Sequence, residues 1–289
     1  MKRLTLLLAT AIICLSVTAQ EDKKEKKDTI RIGGMIIVKD GRKNGKNKDV
    51  KVTKDHSPKK RSNISTNWWI LDLGFSNYSD KTNYPLVGSS YVIDRPGSPA
   101  IGKDDFKLRT GKSINVNIWV FMQRLNLVKH HVNLKYGLGV ELNNYRYKNT
   151  AMLSYKEGGT LPYSSGLQTN APFIFRDSIF FSKNKLAADY ITVPMMLNFT
   201  SHASEKKGVS LSVGVSAGYL YAQRNKQKSH ERGKWKNKGD YDLERFKFSY
   251  IAELGLGPVR LYGSYSPQSM YAKSLDIKPY TVGLRFSNW

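Results

Sequence analysis

The sequence predicts an all-β fold: an eight-stranded antiparallel up-and-down transmembrane β-barrel behind a mostly disordered N-terminal arm. Three observations predict it. Apolar residues alternate with small or polar ones in eight segments from Trp68 to the end of the chain. The connections between these segments are alternately long and short. The last segment, 276–289, puts Tyr280, Val282, Leu284 and Phe286 on one face and Thr281, Gly283, Arg285 and Ser287 on the other. A strand that ends a chain needs an edge to pair with, and the first strand of a barrel supplies one.

The 289-residue chain opens Met1-Lys2-Arg3, runs apolar from Leu4 to Val17, and reaches Val17-Thr18-Ala19 before Gln20. A positive start, a short apolar core and small residues at the cut describe a secretory signal peptide over residues 1–19. The run is too short for a membrane helix, which takes about 20 residues. The only cysteine, Cys14, lies within it, and Ile13 stands where a lipoprotein signal would carry a small residue. Once the signal is cut, neither disulfides nor thiol chemistry contribute. Net charge is +24, from 47 basic and 23 acidic residues. Such a balance invites a nucleic-acid reading, but export argues against it. Outer-membrane lipid and lipopolysaccharide phosphates are the expected counter-charge.

Residues 20–67 form the arm. It starts with the mixed-charge run Glu21 to Asp28, followed by Thr29-Ile30-Arg31-Ile32, Gly33-Gly34 and Met35-Ile36-Ile37-Val38. Two β-prone runs about a Gly-Gly pair read as a short hairpin at 29–38. Residues 39–61 carry ten basic side chains against three aspartates with little apolar content, the composition of a disordered linker. A periplasmic partner for this arm is one expectation; a solvated tether is the plainer one.

The expected strands are 68–76, 113–123, 131–145, 189–200, 208–222, 245–257, 259–267 and 276–289. Short periplasmic turns would fall at 124–130, 201–207 and 257–258, and long outer loops at 77–112, 146–188, 223–244 and 268–276. Outward aromatics sort by depth: Tyr219, Tyr221, Phe246, Phe248, Tyr265 and Tyr280 towards the outer rim, and Trp69, Phe199 and Phe286 towards the inner one. Strand 113–123 would turn Ile114, Val116, Ile118, Val120 and Met122 outward.

Two of these strands carry a resemblance. Asp189-Tyr190-Ile191-Thr192-Val193-Pro194-Met195-Met196-Leu197 and Ile277-Lys278-Pro279-Tyr280-Thr281-Val282-Gly283-Leu284-Arg285-Phe286, with the glycine-rich Lys135 to Val140, resemble the PorT-like outer-membrane β-barrel domain family of Gram-negative bacteria. The resemblance covers 68–289 and implies an eight-stranded barrel with no particular activity. The barrel-assembly machinery, which reads an aromatic-rich closing strand, is the expected partner in biogenesis. Trp289 is out of phase with Tyr280–Phe286, which leaves Phe286 as the terminal anchor.

An eight-stranded barrel is just wide enough for side chains to fill. Inward parity falls on Asp72, Lys135, Glu141, Arg245, Lys247, Glu253, Arg260 and Arg285. Buried charges must pair, so a structural ionic core is expected, and Asp72 should meet Arg285 across the closing seam. Segment 223–244 carries Arg224, Lys226, Lys228, Arg232, Lys234, Lys236 and Lys238 around Trp235. These form a basic outer loop suited to phosphates. No catalytic residue, metal ligand or cofactor-binding motif is assigned. The five histidines do not fall inside strands beside a serine, as a lipid-modifying enzyme, the alternative reading, would require.

Overall fold

The computed structural model describes residues 29–32, 35–38, 51–54, 62–148, 153–202 and 208–287. The signal peptide, the run 20–28, Gly33-Gly34, His56 and Trp289 lie outside the described residues.

The first unit, residues 1–61, contains a small antiparallel sheet. Strands β1 (Thr29–Ile32) and β2 (Met35–Val38) pair as the hairpin pattern requires. A third strand, β3 (Lys51–Lys54), pairs with β2 within a stretch expected to lack structure. Its Lys-Val-Thr-Lys sequence is too short and too charged for alternation to reveal, and β2 supplies the missing edge.

The second unit, residues 62–289, is built on a ring. Its members are β4 (Ile64–Asp80), β6 (Ile114–Val128), β7 (Val132–Arg146), β10 (Phe181–Thr200), β11 (Val209–Ser229), β13 (Phe246–Leu256), β14 (Val259–Tyr265) and β15 (Ile277–Phe286). Each pairs antiparallel with the next along the chain, and β15 pairs with β4 to close the ring of eight. Three further described strands, β5 (Val92–Ile93), β8 (Leu153–Thr160) and β9 (Gln168–Arg176), form a separate sheet at the end that carries the long connections. We call this the loop end. The last, β12 (Lys234–Lys238), pairs with the upper part of β11.

Alternation sorts the ring's two faces. On β10 the odd residues Ile191 to Phe199 are exposed and the even residues between them are buried. At about 3.4 Å per residue and about 40° of tilt, that run spans roughly 20 Å, close to the height of a barrel's lipid-facing belt. Tyr280, Val282, Leu284 and Phe286 are exposed in the same way on β15. Inside, backbones and rings approach closely where glycines allow it. Gly74 faces Gly283 across the seam, and a Cβ on Gly74 would stand 2.6 Å from the Tyr262 hydroxyl oxygen.

The alternation slips near the turn end. Trp69 has φ +56°, and β6 carries a bulge at the facing Val120. Trp68 and Trp69 are therefore both exposed, with the Trp68 ring tilted against Phe121 at 5.9 Å between centroids. Met122, expected outward, turns inward and is fully buried beside Ile70, Trp119 and Met196. A bulge adds one residue and so exchanges the two faces beyond it.

The long connections are not plain loops. β4 runs to Asp80, and β10 and β11 continue as a paired ladder up to Phe181 and Ser229. Within the ring at this end Tyr145, Tyr147, Leu186, Tyr190, Leu243 and Tyr271 pack into one apolar cluster.

Candidate functional site

Below that cluster the interior is ionic. Glu253 on β13 is its centre: it accepts Lys135 Nζ at 3.1 Å, Arg260 Nη1 at 2.9 Å and Arg285 Nη1 at 2.6 Å. Arg285 also donates Nε to Asp72 Oδ1 at 2.7 Å and Nη2 to Oδ2 at 2.8 Å, a two-pronged bond across the β4–β15 seam. Strand register places the two residues directly opposite each other. Asp72 takes two neutral donors as well, Trp119 Nε1 at 2.7 Å and Asn117 Nδ2 at 3.1 Å. The Arg285 guanidinium also lies near two aromatic rings, 5.5 Å from Trp119 and 5.9 Å from Tyr262.

A second pair extends the network towards the loop end. Lys247 bonds Glu141, and Glu141 accepts Asn143 Nδ2 at 2.9 Å. Asn143 in turn accepts Asn115 and Ser76, and Tyr262 donates to Asn115. Each of these positions faces inward because it keeps the strand's parity; none depends on a loop. Three carboxylates thus meet four cations, and the shared Glu253 links three of those cations.

Of the eight expected interior charges, seven stand together there. Arg245 does not. It precedes β13, which begins at Phe246, and its side chain is exposed. Parity carries no information outside a strand. Sequence reading also missed Trp119 and Tyr262, which line the ionic core. Both have inward parity, Trp119 with Asn117 and Tyr262 with Arg260, but an aromatic ring carries no mark of an interior site.

The other gathering of charge lies outside the ring wall, on the ladder above the exposed belt. The expected basic loop is a β-hairpin, and register arranges its cations in rows. Arg146 on β7 faces Lys185 on β10, Lys185 faces Lys226 on β11, and Lys226 faces Lys236 on β12. The next row up is Lys183, Lys228 and Lys234, and the next down ends in Arg224 and Lys238. Arg224 bonds Asp189. Arg232 leaves the face altogether and pairs with Asp177 at 2.9 Å. Among the described residues no carboxylate pairs with Lys183, Lys185, Lys226, Lys228, Lys234 or Lys236. Burial pushes the Lys185 ammonium down to about 8, and Lys226, Lys183, Arg224 and Arg146 add to the effect. Lys183, Lys226, Lys228, Lys234, Lys236 and Trp235 are among the residues lining a groove of about 530 Å³ here.

His131 Nδ1 is 2.9 Å from the Thr200 carbonyl oxygen, and His230 is exposed in the β11–β12 turn. Among the described residues no three His, Cys, Asp or Glu side chains gather as a metal would require.

A closed antiparallel ring with an apolar outer wall and a charged, hydrogen-bonded interior defines a protein of the membrane β-barrel class. The family model for the outer membrane protein beta-barrel domain matches residues 70–267, and the chain belongs to that family. No curated protein matches it. Among solved structures it is similar to Ail, the attachment invasion locus protein of Yersinia pestis, in complex with the heparin analogue sucrose octasulfate. Identity is 10%, over 76% of this chain and 98% of that one, at a TM-score of 0.29. A second structure of Ail gives 10% identity over the same shares at 0.27. A protein from work on the asymmetric conductivity of engineered proteins gives 9% identity over 78% and 100%, at 0.17. None of these likenesses carries a functional argument.

Proposed function

We propose that the chain is a non-enzymatic transmembrane barrel of the outer membrane, whose interior holds the ring together and whose ordered loop end serves anchoring, assembly or surface interaction. The carrying observation is how the interior is filled. Its charges are engaged with one another from Asp72 to Lys247, and an apolar cluster seals the loop end above them. Ions or a substrate entering the ring would have to break these buried pairs.

In this reading the signal peptide at 1–19 is cleaved on export, and the barrel-assembly machinery inserts the ring with the turn end and the arm in the periplasm. Within the family we place the chain near the PorT-like branch, on the residues of strands 189–197 and 277–286. Outer-membrane lipid and lipopolysaccharide are its surroundings, and nucleic acid has no part.

The alternative is an outer-leaflet enzyme acting on lipid acyl chains. One preparation separates the two. Protein refolded into planar bilayers should show no steady conductance, and lipid A or phospholipid incubated with it should keep its mass. Open channels would contradict the filled interior, and a changed lipid mass would contradict the absence of catalysis.

A further inference from the structure

We propose that the outward face of the β7–β10–β11–β12 ladder binds the phosphate groups of a phosphorylated glycolipid in the outer leaflet, an inference that rests on the membrane-spanning reading above. Arg146, Lys185, Lys226 and Lys236 occupy one hydrogen-bonded row across four strands. Like charges placed directly opposite one another destabilise a sheet. Here three such contacts follow in succession, with a second row of three lysines beside them. A sheet that tolerates this arrangement free in solution is stabilised by an anion that bridges the rows. Phosphates suit it, because each offers several acceptor oxygens to cations on neighbouring strands.

Position selects the source of the phosphate. Lys183 and Lys185 share the strand and the parity of Ile191, Val193 and Met195, so the cations point the same way as the lipid-facing belt. Lys185 lies six residues beyond Ile191, about 20 Å along the strand and roughly 15 Å along a tilted barrel's axis. Arg224 and Lys238 lie one row nearer the belt. Exposed Tyr219 and Tyr221 stand between belt and cations, where the interface of a bilayer falls. An amphiphile with acyl chains against Ile191 to Phe199 and a phosphorylated sugar headgroup above would meet both surfaces at once. A glycerophospholipid headgroup is too short to reach the upper rows.

The test uses full-length protein refolded in a neutral detergent, with folding first verified by heat-modifiability. Failure to fold counts against the membrane reading; only folded protein speaks to the site. Intrinsic fluorescence and native mass spectrometry then follow titration with diphosphorylated lipid A, dephosphorylated lipid A and inositol hexakisphosphate. The variant is Lys185→Gln, Lys226→Gln, Lys236→Gln together, which relieves repulsion and should unfold at higher urea than wild type. Lys107→Gln, an exposed partner of Asp104 elsewhere at the loop end, is the control. Diphosphorylated lipid A should bind wild type and the control alike, and the triple variant about a hundredfold more weakly. Arginine at the same three positions should restore binding.

Affinity should also hold up to about pH 8 and fall above it. An anion favours charged Lys185, whose proton is held weakly by burial and by Lys226 and Arg224 on β11, Lys183 on its own strand and Arg146 on β7. Equal binding by the triple variant would overturn the site. Equal binding of dephosphorylated lipid would overturn the phosphate. If inositol hexakisphosphate binds as tightly as the lipid, the face takes soluble polyanions and the lipid assignment fails.

Discussion

Glu253→Ala should abolish the heat-modifiable folded form or leave it unfolding at far lower urea. The substitution strips the shared counter-charge from Lys135, Arg260 and Arg285 at once, and all four side chains are almost wholly buried. Removing one partner of a buried pair costs about 3–5 kcal/mol, because the remaining charge is left in a poor solvent. Three cations losing one carboxylate would put the loss on the order of the whole stability of a typical domain. Glu253→Gln keeps the shape and one acceptor oxygen but turns an amide N–H towards a cation, so it should fall between. Urea titration of the three proteins in detergent, read by the shift in electrophoretic mobility on heating, gives the order. An alanine variant as stable as wild type would mean that water, not Glu253, neutralises the core.

The second large effect is a coupling between Asp72 and Arg285. Arg285→Ala leaves Asp72 with Trp119 and Asn117 as neutral donors, and Glu253 with two cations. Asp72→Ala leaves Arg285 to Glu253 alone. Each single variant should lose about 3 kcal/mol or more. The double variant should lose less than the sum by about 1–3 kcal/mol, as residues in direct contact do. Losses that simply add would show that the seam is closed by backbone bonds and not by this pair.

The ring could be read from the sequence because its strands sit between two unlike environments. Val282 and Gly283, or Leu134 and Lys135, must then differ in kind, and a period of two shows through. The same parity pointed to the inward charges, since nothing else would place Asp72, Glu253 and Arg285 among outward leucines and valines. What was illegible lies where that contrast ends. Arg245 kept the right parity but fell outside its strand. Met122 changed face because Val120 bulges, and no residue type announces a bulge. The upper parts of β10 and β11 bury Leu186 and Ala188 on one side and hold lysines on the other. That pattern looks like a charged loop until register stacks the lysines into rows. Lys226 and Lys236 are ten positions apart in the chain, and only the hairpin makes them neighbours.

A ring embedded in lipid turns alternate residues of each strand to opposite sides of its wall. Nitroxide labels on single cysteines at Tyr280, Val282, Leu284 and Phe286 test this directly, because no cysteine remains once residues 1–19 are removed. In bilayers all four should collide readily with dissolved oxygen and poorly with a water-soluble nickel chelate. The contrast should be strongest at Val282 and Leu284 in the middle of the belt, and a label at exposed His230 should show the reverse. Free access of the chelate to Val282 and Leu284 would put that face in water and contradict the membrane barrel.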